Sequence, residues 1–163
     1  MNYIKNREVK NNSGFSILEV VISSAIIVAV VVFVVTSLQF YIHFSNLNSK
    51  SVVAATILEE GGEAVMFMRD KGWDENINSL ILDTEYYIYW NGDDYLATTT
   101  PNIIKDSFYL IAVFEEIERD GNDSINESGN LDSDTRKVRV TAEMVSGEVS
   151  VTSEMLIHNS YEN

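Results

Sequence analysis

Residues Phe15 to Phe44 read FSILEVVISSAIIVAVVVFVVTSLQFYIHF, with no Lys or Arg, a single acid at Glu19 and a single imidazole at His43. A bilayer core needs about 20 apolar residues as a helix, so this stretch is long enough to span one. Its wealth of Val and Ile would suggest strand in a soluble protein. In lipid, however, a lone strand leaves its backbone groups unpaired and a helix pairs them internally, so helix is expected. Ahead of the stretch, residues 1 to 14 carry Lys5, Arg7 and Lys10 against Glu8. Behind it, residues 45 to 163 carry 8 basic and 23 acidic side chains. Basic flanks resist translocation, which predicts a single-pass protein of the cytoplasmic membrane with its N-terminus inside and its acidic body outside.

The charge of that body excludes several functions. It repels phosphate backbones, and no Lys or Arg stripe interleaved with aromatics offsets the repulsion, so direct nucleic-acid binding is not expected. The chain has no cysteine, which rules out disulfides, thiolate metal sites and a cysteine nucleophile. His43 and His158 are far apart and lie in no ligand-spaced cluster; His43 and Tyr41 fit the outer membrane interface. Carboxylate pairs such as Glu115 with Glu116, or Asp93 with Asp94, are adjacent and so point to opposite sides of a strand or cap a turn. No hydrolase elbow, phosphate loop or zinc-protease motif occurs. An enzyme is therefore not expected, and a membrane-tethered one ranks last among the readings.

An ordinary secretory signal has an apolar core of roughly 7 to 15 residues followed by a small-residue cleavage site. Here the cutting signal precedes the apolar run, at Ser13-Gly14-Phe15-Ser16. Cleavage after Gly14 would keep the apolar helix on the mature chain and create an α-amino group on Phe15, one helical turn from Glu19. Charged residues at the centre of a span cost roughly 2.5 to 3.5 kcal/mol on insertion scales, so Glu19 calls for compensation. In a staggered bundle the amine of one subunit would meet Glu19 of the next. The alternative is an uncleaved single-pass anchor, with Glu19 near the headgroups and an extracytoplasmic acidic β domain that binds a ligand or partner.

Gly14 followed by Phe15-Ser16-Ile17-Leu18-Glu19-Val20-Val21-Ile22, behind a basic leader, resembles the class III signal of type IV prepilins and type II secretion pseudopilins. The resemblance implies cleavage after Gly14 by prepilin peptidase, N-methylation of Phe15 and a role for Glu19 in assembly and register. It implies as partners that peptidase, other pilin or pseudopilin subunits and an inner-membrane assembly platform, with the chain ending in a cell-surface or periplasmic filament. Many major pilins carry a helix-disrupting proline within this segment; here Val35-Thr36-Ser37 stands instead, so the kink is not carried over. The stretch from Glu59 to Trp73, with Arg69-Asp70 and Trp73, is similar to PilV-type minor pilins, with Trp73 expected as a core anchor.

Beyond Phe44, Val53, Ile57, Ala64 and Met68 recur at helical spacing, which predicts an amphipathic helix over residues 45–72 that stops at Lys71-Gly72. Gly61-Gly62 inside it suggests a bend or close packing. After Trp73 the period becomes two. Tyr86 to Trp90 and Asp94 to Thr98 flank an Asn91-Gly92 turn, Phe108 to Glu116 is a third strand, and Lys137 to Val145 and Glu148 to Ile157 flank Ser146-Gly147. The fold class expected is α+β: a long N-terminal helix, membrane-spanning over 15–44, packed on a small antiparallel sheet in a 73–163 domain. Residues 119–135 form a polar acidic loop. Asp120, Asn122, Ser124 and Asn126 alternate as calcium ligands do, but Ile125 and Leu131 stand where an EF-hand needs Gly and Glu. What remains is a looser calcium site drawn from Asp120, Asn122, Asp123, Asp132 and Asp134, set against a plain solvated turn.

Overall fold

A computed structural model describes residues 16–122, 124–125 and 129–159. The chain divides into two units, Met1–Phe44 and Ser45–Asn163. The first helix, α1 (Ile17–Lys71), contributes to both.

Within the first unit every residue from Ile17 to Phe44 is exposed. Two hydroxyls in this apolar run bond back to their own helix: Ser24 Oγ donates to Val21 O at 2.9 Å, and Thr36 Oγ1 to Val32 O at 2.8 Å. Such bonds satisfy these two hydroxyls without water, as lipid would require. The helix runs unbroken through Val35-Thr36-Ser37, which fits the absence of a proline there.

The second unit sets residues 45–71 of α1 against a five-stranded antiparallel sheet, giving the expected α+β arrangement. A short π-helical turn (Asp74–Asn78) follows α1, then β1 (Glu85–Trp90), β2 (Tyr95–Thr98), β3 (Phe108–Arg119), β4 (Asn130–Met144) and β5 (Ser150–His158). Strand order is β2-β1-β3-β4-β5, so the segment between β2 and β3 passes from one side of β1 to the other. The sheet's apolar face carries Ile88, Phe108, Leu110, Ala112, Phe114, Val138, Val140 and Ala142, all buried. The opposite face carries a charge lattice that ties three strands together. Arg139 on β4 reaches Glu115 on β3 at 2.5 Å and Glu154 on β5 at 3.2 Å, and Lys137 reaches Glu154 at 3.0 Å.

Small residues let α1 approach the sheet closely. Its buried positions are Ala54, Ile57, Gly61, Ala64, Val65 and Met68. Of the four positions expected to face inward, Val53 does not, being 41% exposed; Ala54 takes its place. Gly61 is a point of close packing, because a Cβ there would stand 2.5 Å from Leu110 Cδ1 and 2.8 Å from Val140 Cγ1. Gly62 has open space around it. The two glycines should therefore respond in opposite directions. Gly62→Ala is expected to stabilise the domain by about 0.5 to 1 kcal/mol through helix propensity alone. Gly61→Ala gains the same propensity but must displace two buried side chains at about 1 to 3 kcal/mol, so it should destabilise on balance. Urea unfolding of both variants checks this; equal midpoints would remove the close-packing account.

Two hairpins differ from their sequence readings. The first turn is four residues long: Trp90 pairs with Tyr95, and Asn91 Oδ1 accepts from the N–H groups of Asp93 at 2.9 Å and Asp94 at 2.8 Å. Only Gly92 takes positive φ, at 112°. The asparagine carboxamide closes this turn as an Asx turn, in place of the two-residue primed turn. Further on, β3 extends to Arg119 and β4 begins at Asn130, so both ends of the polar segment 119–135 join the ladder: Ile117 pairs with Asp132, Glu118 with Leu131 and Arg119 with Asn130.

Candidate functional site

The features able to carry function lie in separate places, each in its own unit. In the first unit it is the exposed apolar helix with Glu19 in its opening turn. The Ser16 carbonyl starts that turn, accepting from Glu19 N at 2.9 Å and Val20 N at 3.2 Å. A carboxylate there stands at the positive end of the helix dipole. Glu19 makes no side-chain hydrogen bond or ion pair with any other described residue. Gly14 and Phe15, the expected cleavage and methylation positions, lie outside the described residues. By length and composition α1 can cross a membrane, and none of its most apolar window is buried within the protein. His43 also sits on this exposed run.

At one end of the β domain a polar network surrounds a bulge in β4. The ladder to β3 jumps from Glu116 opposite Arg136 to Ile117 opposite Asp132, so residues 133–135 have no partner on that strand. Arg136 fills the resulting gap. It shares the phase of Val138, Val140 and Ala142, faces the core and is only 6% exposed. Its Nη1 lies within hydrogen-bonding distance of the carbonyls of Asp132 at 3.2 Å, Ser133 at 3.0 Å and Thr135 at 3.0 Å, and Nη2 donates to Asn78 Oδ1 at 3.0 Å. Its guanidinium stands 5.9 Å from the ring centre of Trp73. Trp73 is buried as the expected core anchor, and it adds a cation–π contact.

Beside this clamp, Arg119 Nε donates to Asp132 Oδ2 at 2.6 Å, and the N–H of Asp134 donates to Asp132 Oδ1 at 3.0 Å. The buried Thr135 hydroxyl also bonds to Asp132 and lies 3.1 Å from His158 Nδ1. These contacts, led by the Thr135 hydroxyl and opposed by burial, hold the Asp132 carboxyl at about 2, below its ordinary 3.8. A depressed acid stabilises the fold while ionised. Its contribution, about 2 kcal/mol, is complete above about pH 4 and is lost as pH falls toward 2. Asp132→Asn should therefore weaken the domain at pH 6 and much less at pH 2, as measured by urea midpoints. A loss independent of pH would show that the side chain acts by shape alone.

Residues named for the looser calcium site have other contacts here. Asp132 is already engaged by a cation, and Asp120 Oδ1 caps its own turn, accepting from Asn122 N at 2.9 Å and Ser124 N at 3.0 Å. Asp123 lies outside the described residues. Among the described residues no three His, Cys, Asp or Glu side chains converge to hold a metal. Nor do Asp132, Thr135 and His158 form a nucleophile relay, since the hydroxyl lies between carboxylate and imidazole, where a relay needs the imidazole in the middle.

Sequence reasoning missed Arg136, although its phase with Val138 and Val140 was a usable signal. It also missed a cavity walled by Trp90 and Tyr95, for which the aromatic density of β1 and β2 was the only hint. No family model, no curated protein and no solved structure matches this chain.

Proposed function

We propose that this chain is a structural subunit, a minor pilin or pseudopilin, of a type IV pilus or type II secretion-like filament. The observation that carries the reading is an α1 segment exposed on every side from Ile17 to Phe44, largely apolar, whose single acid, Glu19, stands in its first turn with no partner among the described residues. A helix apolar all round needs lipid or other helices as its surroundings. One acid at its very start needs a cation at the same depth. Cleavage after Gly14 supplies that cation as the Phe15 amine, and a staggered neighbour brings it to Glu19. In this reading residues 15–44 hold the subunit in the cytoplasmic membrane before extraction into the filament, and the acidic domain 45–163 stays outside. Pairing amine with carboxylate adds little net stability but makes register specific, because any misaligned neighbour leaves a charge unpaired in apolar surroundings.

The test is intact mass together with N-terminal sequencing of the protein taken from membranes of its native host. A mature chain starting at methylated Phe15 is expected. A chain retaining Met1, in cells with an active leader peptidase, would favour the uncleaved single-pass anchor instead.

A further inference from the structure

On the helix side of the β1–β2 hairpin lies a cavity of about 390 Å³ between α1 and the segment joining β2 to β3. Its walls include Tyr89, Trp90, Tyr95, Asn102, Lys105 and Glu60. Small-molecule sites span roughly 300 to 1,000 Å³ and combine aromatic walls with a few convergent polar groups, so this cavity has the size and lining of a site for a small ligand. Trp90 and Tyr95 are paired across the hairpin with ring centres 4.9 Å apart, and Phe67 on α1 braces both from behind at 6.2 and 5.8 Å. Despite that bracing Trp90 remains 49% exposed. It presents an open aromatic face.

Its polar groups are held by a costly turn. Lys105 and Asp106 both have positive φ, 45° and 65°, and Ser107 N donates to Ile104 O at 3.3 Å. Those are the features of a primed turn, whose centre ordinarily holds Asn and Gly. Each non-glycine residue in this conformation costs roughly 1 kcal/mol or more. The strained turn delivers the Lys105 ammonium to Glu60 Oε2 at 2.6 Å, joining loop and helix at the cavity. Strain retained against a cheaper residue choice is a marker of ligand sites.

The charges decide the ligand class. Lys105 and Glu60 neutralise each other, so a charged ligand would have to separate them and leave one unpaired. Anions are repelled further by the acidic domain, and cations by the ammonium at the cavity. A neutral polyol has no such conflict, since each hydroxyl both donates and accepts. It accepts from Lys105 and the Asn102 amide while donating to Glu60. A pyranose adds a flat face of C–H groups that matches an open indole. We infer that this cavity binds a neutral pyranose sugar, stacked on Trp90 and hydrogen-bonded by Glu60, Asn102 and Lys105. The inference does not depend on the leader cut or on polymerisation, and its failure leaves that reading untouched.

The full-length chain, solubilised in a detergent without a sugar headgroup, is titrated with glucose, galactose, mannose, N-acetylglucosamine and N-acetylgalactosamine. Tryptophan emission is the readout: of the two tryptophans, Trp73 is buried and Trp90 open, so a stacked sugar shifts the signal of Trp90. Saturable binding of at least one sugar is expected, weakened roughly tenfold or more by Glu60→Gln and by Lys105→Gly. Calorimetry replaces emission for Trp90→Ala, which should abolish binding. Lys105→Gly relieves the positive-φ strain and should keep or raise the thermal midpoint, which separates loss of binding from loss of fold. Absence of saturable binding for all five sugars up to their solubility overturns the inference. So does binding that survives Trp90→Ala, Glu60→Gln and Lys105→Gly.

Discussion

Replacing Arg136 by alanine is expected to lower the stability of the β domain by about 3 kcal/mol, the largest loss from any single side chain outside the apolar core. The reason lies in what the guanidinium leaves behind. Three bulge carbonyls, those of Asp132, Ser133 and Thr135, converge on Nη1 within 3.2 Å. A buried backbone acceptor without a donor costs about 1 to 3 kcal/mol, although water entering the vacated space would recover part of it. Loss of the Asn78 bond frees the π-helical turn from β4, and Trp73 loses its cation. Acting the other way, Nε of Arg136 finds no acceptor among the described residues, so the guanidinium is imperfectly satisfied and the net falls below the sum of its bonds. A drop of this size corresponds to roughly 10 °C in midpoint for a domain near 120 residues. Arg136→Lys retains the charge but not the planar fork that serves the carbonyls and Asn78 together, and should lose an intermediate amount. Urea unfolding followed by Trp73 fluorescence measures both. An alanine variant within 0.5 kcal/mol of the parent, roughly the scatter of surface substitutions, would mean that the bulge holds its shape without the clamp.

The bulge also shows where reading the residues in order stops working. Alternation over Val138, Val140 and Ala142 exposed β4's core face because each of those residues is apolar. Carried two residues back, the same alternation places Arg136 on that face. A charged residue there looks like the end of the strand, so Lys137 was expected to open it. Nothing in Asn130-Leu131-Asp132-Ser133-Asp134 reads as ladder, because its polar residues favour turns; pairing with Ile117, Glu118 and Arg119 on β3 overrides that preference. The alternation of Asp120, Asn122 and Ser124 imitated a cation loop, yet their bonds close a local turn. On α1 the choice of Ala54 over Val53 is likewise a packing outcome, since adjacent helix positions differ by only 100° and the sheet accepts the smaller one. The parts legible in advance were those decided by local chemistry: the apolar run, the helix stop at Lys71-Gly72 and the presence of a turn at Ser146-Gly147, where Gly147 takes φ 73°, although that turn is wider than two residues because β4 ends at Met144 and β5 begins at Ser150. The aromatic cavity draws its walls from α1, β1, β2 and the loop before β3, so no local pattern announces it.

On the proposed filament-subunit reading, Glu19→Ala should leave cleavage after Gly14 intact and cut incorporation into filaments by roughly tenfold or more, as the register role requires. The proposed peptidase action depends on the leader and the Gly14-Phe15 bond, which the substitution leaves in place. Assembly depends on a difference between two environments. In the bilayer, removing the carboxylate relieves a cost of up to about 2.5 to 3.5 kcal/mol, so the variant subunit rests more comfortably in lipid and is harder to extract. In the filament, the Phe15 amine of a neighbour loses its counter-charge in apolar surroundings, which penalises the assembled state. Both changes push the subunit the same way, toward the membrane, and that is why a single alanine should outweigh the loss of one modest ion pair. Glu19→Gln separates the terms: it keeps a hydrogen-bond acceptor but no charge, and should assemble nearly as poorly as alanine if charge sets the register. Quantitative immunoblots of sheared filaments against membrane pools, with N-terminal sequencing of each pool, read cleavage and incorporation separately. Alanine and glutamine variants that are cut normally and enter filaments at the parent level would remove Glu19 from the assembly mechanism. An uncut alanine variant would instead place the residue in recognition by the peptidase.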